Sequence, residues 1–483
     1  MRPLGGGFFF ERTEFLVIES LSRYFQLREH GSSVRNELLG GATTFAATAY
    51  IIVVNPAILH FAGIPVGPST VATILTCVCG TLLMGLYANR PIAVAPYMGE
   101  NAFLAFGLAA LGISWQLRLG AVFVSGAIFL VITLLGIRGW LADSLSPSMK
   151  HSFAAGIGLF LAFIGLYQTG IVTSFVEGMP VAAAISPEAA DGLDKPQVIA
   201  KPAVPLKIGN LRDPKVLLAL FGLVMTATLM ARRVPGAILL GIVVTAAAGY
   251  AIGVGTQPTG IVALPFVGEY SLAPIAGQLD IAGTLTPHFL PILLTLFVMS
   301  FLDTLGTLVG IGAAGNLLDK DGNFPDIRKP MLVDAATCMI GATLGTSTSG
   351  AYIESAAGVR EGARTGLAAV VTALLFAATL FFIPLVQPLQ SLGYAYGPAL
   401  VIVGCMMMSG VRKIDFDEPT EAIPAFMTLA LVVFTYNVAN GLTAGLILHP
   451  LLKLLTGRFR ELNLGIVVLA AICVAYYVVG LPH

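Results

Sequence analysis

Charge is scarce in this 483-residue chain: 26 Lys plus Arg balance 26 Asp plus Glu, 11% of all residues and a net charge of zero, where soluble domains carry about 25%. That balance removes the electrostatic footprint of nucleic-acid binding, so no nucleic-acid partner is expected. Cysteine is equally sparse. Cys77, Cys79, Cys338, Cys405 and Cys473 lie scattered in apolar stretches, with neither a CxxC pair nor His at ligand spacing. This argues against a disulfide framework or a metal site and leaves them as small buried hydrophobes. Neither metal nor cofactor is expected. GxxxxGK[ST], HExxH and GxSxG are all missing, so no ATP motor and no familiar hydrolase site is indicated. The chain is not read as an enzyme, and any transport would draw on an ion gradient. A cleavable signal peptide is not evident either: "MRPLGGGFFFERTEF" breaks into charge after a very short apolar run, and residues 1–37 read as a cytosolic tail.

What is present is apolar: 56% hydrophobic residues, with 54 Gly and 28 Pro. This is the composition of an integral membrane protein. Spanning a bilayer takes about 20 residues, and stretches of that order fall near 38–59, 68–89, 115–137, 152–170, 214–231, 235–254, 287–312, 364–387, 396–411, 440–456 and 464–481. Segments 91–110, 331–345 and 346–360 are apolar but interrupted, and 421–436 is short. The fold class expected is an all-α polytopic membrane protein of about 14 transmembrane segments, with short strands in broken segments three and ten. Clustered Lys and Arg at Arg90, Arg138 to Lys150, Arg232 and Arg233, and Lys320 to Lys329 place the N-terminus on the cytoplasmic side. Arg118 and segment 171–213 then land outside, the latter as an external loop with some strand.

The broken segments carry the information. "PIAVAPYMGENAFLAFG" (91–107) and "GTSTSGAYIESAAGV" (345–359) each open with an extended run, reach Gly99 or Gly350, and then turn helix-like. Pro96 cannot sit inside a regular helix, and Thr346, Ser347, Thr348 and Ser349 can bond a freed backbone and cap a following half-helix. Superposing Gly99 on Gly350 sets Glu100 and Asn101 beside Ala351 and Tyr352. Paired broken segments at matching places in two halves point to a midplane site in an inverted-repeat transporter, here two repeats of seven.

Two acids stand out. Asp303, in "VMSFLDTLGTLVG", has fifteen uncharged residues on either side, which puts it near the bilayer centre at 1.5 Å rise per residue. Glu354 lies about one turn into the second half-helix. Intramembrane carboxylates mark pathways, and Asp303 is a candidate proton carrier. Asn101 either caps its half-helix or reaches a ligand, and Glu100 has no assigned role. Gly99 and Gly350 serve a backbone turn, a close ligand approach, or helix packing.

"GGATTFAATAYIIVVNPAIL" (40–59), "ANRPIAVAPYMGENAFLAFG" (88–107), "FLDTLGTLVGIGAAG" (301–315) and "GTSTSGAYIESAAGVREGARTGLAAVV" (345–371) resemble the adenine/guanine/hypoxanthine permease branch of the nucleobase-cation symporters. The resemblance implies the uracil-permease fold. Its core domain would comprise 38–137 (segments 1–4) and 287–387 (segments 8–11). Its gate domain would comprise 138–286 (segments 5–7, with external loop 171–213) and 388–483 (segments 12–14). It implies proton-coupled import of purine bases across the plasma membrane, the bacterial inner membrane, with Asn101, Asp303 and Glu354 matching the family's site residues. Substrate-binding candidates are thus Asn101, Asp303, Glu354, Gly99, Gly350 and Ser349, and proton-coupling candidates Asp303 and Glu354. The partners expected are a purine base, a proton, the lipid bilayer and, as an assembly, a homodimer. The alternative is an anion transporter of the sulfate or bicarbonate type on the same fold.

Overall fold

The computed structural model describes residues 19–109, 111–136, 145–174, 206–258, 260–315, 317–318 and 324–479. Residues 1–18, most of segment 171–213 (175–205) and residues 319–323 lie outside the described residues.

The apolar runs fold as helices because a bilayer offers no water to backbone groups, so each segment must satisfy its own. In chain order these are α1 (Val34–Phe61), α2 (Val66–Leu86), strand β1 (Val94–Pro96), half-helix α3 (Met98–Ala102), which continues as a π-turn over Phe103–Gly107, α4 (Trp115–Leu135) and α5 (Pro147–Gln168). Strands β2 (Val172–Ser174) and β3 (Leu206–Ile208) pair antiparallel at the two ends of segment 171–213, which supplies the strand expected there. Then come α6 (Pro214–Ala231), α7 (Ala237–Ala251), α8 (Leu290–Gly315), α9 (Arg328–Leu344), strand β4 (Ser349–Ala351) and half-helix α10 (Ser355–Arg360). The chain closes with α11 (Gly366–Gln390), α12 (Gly393–Lys413), α13 (Pro419–Phe434), α14 (Val438–Leu455) and α15 (Leu464–Val479). Among the described residues nine helices are long and apolar enough to cross a membrane, and three shorter ones are apolar.

Local chemistry sets the ends. Ser33, Ser114, Ser146, Asp213 and Asn437 each accept a hydrogen bond from an amide in the first turn of the helix they precede, satisfying one orphan donor. Gly136 and Gly345 close α4 and α9 in the left-handed conformation. One expectation changes here. Segment 331–345, read as interrupted, is the continuous helix α9, because the charge that interrupts it, Asp334, is buried and bonded.

Packing follows a pattern of exchange. Helix α2 packs on α11 and α4 on α9; α6 packs on α12 and α13 on α5; α5 packs on α12. Glycine lets backbones touch at these seams: a Cβ on Gly366 would strike the Gly85 carbonyl, and one on Gly404 the Gly158 carbonyl, so van der Waals contact replaces the absent hydrophobic drive. A buried ionic group ties α13 to α14. Glu421 accepts from Lys453 at 3.1 Å and contacts His449 Nε2 at 3.0 Å, while Ser146 donates to it at 2.6 Å. His449 is buried.

Glu37, in the first turn of α1, is fully buried. Its carboxylate accepts from the amides of Arg364, Thr365 and Ala368, so it caps α11 from a distant segment and opposes the positive end of that helix dipole. Losing a buried charge-assisted partner costs roughly 1.5–3 kcal/mol per bond. Glu37→Ala should therefore lower the thermal unfolding midpoint of the detergent-solubilised protein clearly. An unchanged midpoint would show that the cap contributes nothing.

Candidate functional site

The two broken segments meet. Strand β1 pairs antiparallel with β4, Val94 opposite Ala351, Ala95 opposite Gly350 and Pro96 opposite Ser349. The ladder continues symmetrically, since Tyr97 N–H donates to Thr348 and Tyr352 N–H to Ala93, both at 2.9 Å. Each strand thus repairs the backbone that its partner breaks, which non-helical chain inside a membrane requires. Half-helices α3 and α10 run outward from this pair. The first amides of α10 are taken up in the preceding turn, Ser355, Ala356 and Ala357 donating to the Tyr352, Ile353 and Glu354 carbonyls, so the orphan amides that favour acceptor atoms are those that open α3.

The pairing corrects the glycine superposition. Gly350 is matched by Ala95, so setting Gly99 on Gly350 slips the register by four residues. The true counterparts are Tyr97 and Tyr352, each two residues beyond the central pair. Their rings lie within 14° of parallel with centroids 6.5 Å apart. Neither glycine makes a turn. A Cβ on Gly99 would strike Ile157 of α5, and one on Gly350 would strike the Tyr97 ring; both leave room for protein side chains.

The polar groups divide between the two tyrosines. On the Tyr97 side, its hydroxyl lies 3.0 Å from Thr304 Oγ1, Thr304 donates to Asp334 Oδ2 at 2.8 Å, and the Ala351 amide donates to the same oxygen at 2.9 Å. Asp303, the neighbour of Thr304 on α8, is within electrostatic reach of Tyr97 and Glu100. It is partly exposed and accepts no hydrogen bond among the described residues. On the Tyr352 side, the Tyr352 hydroxyl donates to the Pro96 carbonyl at 2.6 Å. Tyr50, at a break in α1, donates to Glu354 Oε1 at 2.8 Å. Glu354 is therefore already partnered by protein, and it too remains partly exposed. Asp303 and Glu354 do not touch; the stacked tyrosines stand between their two sets of neighbours.

Asn101 is no cap, because α3 has no side-chain cap. Its Nδ2 donates to Asn55 Oδ1 at 2.6 Å, and Asn55 in turn donates to Thr73 at 2.7 Å and to Thr346 at 2.9 Å. Asn55 is thus a hub that fixes α1, α2, α3 and the approach to β4. Ser349 donates to the Ser347 carbonyl at 3.3 Å. Several buried oxygens lack any protein partner: both carboxylate oxygens of Glu100, Asn101 Oδ1, Asp334 Oδ1, Thr348 Oγ1 and Ser300 Oγ. Such groups are costly, about 1–3 kcal/mol each, and their concentration here marks a region built to receive polar partners.

Sequence reasoning missed Tyr50, Asn55, Tyr97, Thr304, Asp334 and Tyr352. Only Asp334 offered a signal, as a lone acid inside an apolar stretch. Arg118 also finds its place: it donates to the Leu104 carbonyl at 2.8 Å and to the Ala62 carbonyl at 2.9 Å, neutralising the carbonyl ends of the α3 turn and of α1.

Asp334 organises the Tyr97 side, so its loss should be worse than that of its donors. Asp334→Ala leaves the buried Ala351 amide without its acceptor and takes one of two partners from the Thr304 hydroxyl, whereas Thr304→Val leaves Asp334 Oδ2 its bond from the Ala351 amide and costs about 1 kcal/mol per bond lost. Thermal unfolding should order the proteins wild type, Thr304→Val, Asp334→Ala, and the reverse order would deny Asp334 this role.

Comparison with known proteins places the chain. The xanthine/uracil permease model, described as "Permease family", matches residues 35–190 and 181–443. The chain is 36% identical to the adenine permease AdeQ of Escherichia coli over 96% of its own length and 97% of that protein. It is 36% identical to the guanine/hypoxanthine permease PbuO of Bacillus subtilis over 92% and 98%. Among solved structures, the transmembrane domain of a cyanobacterial bicarbonate transporter, BicA, superposes with a TM-score of 0.56 over 85% of this chain and 97% of that one, at 15% identity, a likeness of fold alone. With its family model matched across most of its length and two full-length relatives above one-third identity, this chain belongs to the xanthine/uracil Permease family.

Proposed function

We propose that the chain is a proton-coupled secondary transporter that imports purine bases across the plasma membrane with its N-terminus in the cytoplasm. The observation that carries this reading is the meeting of two half-helices at β1 and β4, flanked by two partly exposed carboxylates, Asp303 and Glu354. The relatives' names, an adenine permease and a guanine/hypoxanthine permease, supply the substrate class.

The packing supports a fourteen-segment inverted repeat, with α15 as an added helix. Exchanging segment n for n+7 turns the α2–α11 contact into α9–α4, turns α6–α12 into α13–α5, and returns α5–α12 to itself. The same contacts favour a core of α1–α4 with α8–α11 and a gate of α5–α7 with α12–α14. A purine offers ring N–H donors beside carbonyl or ring-nitrogen acceptors. Carboxylates at Glu354 and Asp303 accept from the former, while the amides that open α3 donate to the latter. Asn101 lines the site through its free carbonyl oxygen, and Ser349, Gly99 and Gly350 shape it. Proton uptake at Asp303 lowers the cost of carrying charge through the apolar phase, and the core then moves against the gate. An anion transporter would use the same half-helix amides, but the acids Glu100, Asp303, Asp334 and Glu354 gathered around them repel an anion.

In cells lacking their own purine carriers, uptake of labelled hypoxanthine, guanine or adenine should collapse on addition of a protonophore. Glu354→Gln, which exchanges an acceptor oxygen for a donor, should raise KM by roughly 10- to 100-fold, the worth of one charged hydrogen bond. Uptake indifferent to the protonophore would refute proton coupling, and sulfate uptake without purine uptake would refute the substrate class.

A further inference from the structure

Glu100 poses a problem that the transport scheme leaves unsolved. It lies in the first turn of half-helix α3, fully buried, and neither carboxylate oxygen has a protein partner. The groups that face it are Tyr97 of its own segment, Ser300 and Asp303 of α8, Cys338 of α9 and Tyr352 beyond β4. None is a cation. Ser300 Oγ is itself buried and unpartnered. An ionised carboxylate in such surroundings is far more costly than the neutral acid, and a second carboxylate on α8 adds like-charge repulsion.

Asp303 has the opposite setting: partly exposed and unbonded among the described residues. It also has two conflicting tasks. To accept a purine N–H it should be ionised, and to carry a proton it should be neutral. Two interacting acids remove the conflict, because the pair can hold one proton while only one member is charged.

Building on the proton-coupled reading, we propose that Glu100 is the buried proton store of the carrier. A proton enters at Asp303, the partly exposed member of the pair, and passes to the Glu100 carboxylate. Asp303 is left ionised to accept from the purine, and the proton returns through Asp303 on the other side. The transfer balances: one O–H bond breaks at Asp303 as one forms at Glu100, and no charge leaves the pair until release. Half-helix α3 carries Glu100 with it, and Gly99 next to it packs on Ile157 of α5, so the store rides on the surface that slides.

Proteoliposomes holding the full-length protein test this with an inward proton gradient and labelled hypoxanthine, guanine or adenine, whichever the wild type transports. Glu100→Gln imitates the permanently protonated side chain. It should bind purine and exchange labelled for unlabelled purine within about twofold of wild type, as a neutral isostere allows, yet fail to accumulate it against a gradient. For one proton per purine the accumulation lost is about 50-fold for each 100 mV of driving force. If Glu100→Gln accumulates purine as the wild type does, Glu100 is a neutral filler and the proposal fails while proton coupling stands. If the wild type itself ignores the proton gradient, the coupling reading fails and the store with it. Should Glu100→Gln not fold, Glu100→Asp keeps a titratable group at a new distance from Asp303. Its accumulation should persist with a displaced pH profile, and an unmoved profile would overturn the proposal.

Discussion

The structure depends on one short antiparallel pairing. Val94–Pro96 and Ser349–Ala351 are extended chain placed among membrane-spanning helices, where an unsatisfied amide or carbonyl costs several kcal/mol, roughly. Neither strand could persist alone. Paired, they satisfy each other, and a half-helix follows each strand, Met98–Ala102 after β1 and Ser355–Arg360 after β4. Thr81 completes the arrangement by donating to and accepting from Val94, which seals the outer edge of β1. The candidate site follows from this constraint, because two segments can both become extended at the same place only where each repairs the other's backbone.

Around that pairing the acids differ in how completely the protein satisfies them. Glu37 is saturated by backbone amides and serves structure. Asp334 has one oxygen filled and one bare. Glu354 has a single tyrosine donor, Asp303 has no hydrogen bond among the described residues, and Glu100 is buried with nothing. The series runs from fixed to available. Buried polar groups tend to be paired unless something else will partner them, so the graded vacancy separates acids that hold the fold from acids still open to a partner. The Tyr97 and Tyr352 rings stack, Tyr97 bonded on the side of Thr304 and Asp334 and Tyr352 to the Pro96 carbonyl.

Much of the site was legible from letters, and the reason is scarcity. Where charge is rare, a lone acid such as Asp303 or Glu354 is conspicuous, and a proline or a run of hydroxyls inside an apolar stretch announces a break. The misreadings have an equally physical origin. Gly99 and Gly350 suggested a register because glycine is conspicuous, but strand pairing obeys backbone hydrogen bonds and side-chain parity, and these align the tyrosines instead. Asn101 was open between cap and ligand because local sequence does not show that Asn55, on another helix, supplies its partner. Asp334 was passed over inside a segment that looked broken and is a regular helix.

The amino-acid sequence by itself determined that this is a membrane protein, where its apolar segments fall, which two of them break, and which acids stand alone inside apolar stretches. Those properties depend on composition and spacing along one chain, and the bilayer reads them segment by segment. Which acid is saturated, which tyrosines stack, and why Glu100 has no partner were decided only by tertiary structure. A hydrogen bond between residues some three hundred positions apart, like that from Tyr50 to Glu354, depends on how helices pack, and packing leaves no periodic trace in the letters.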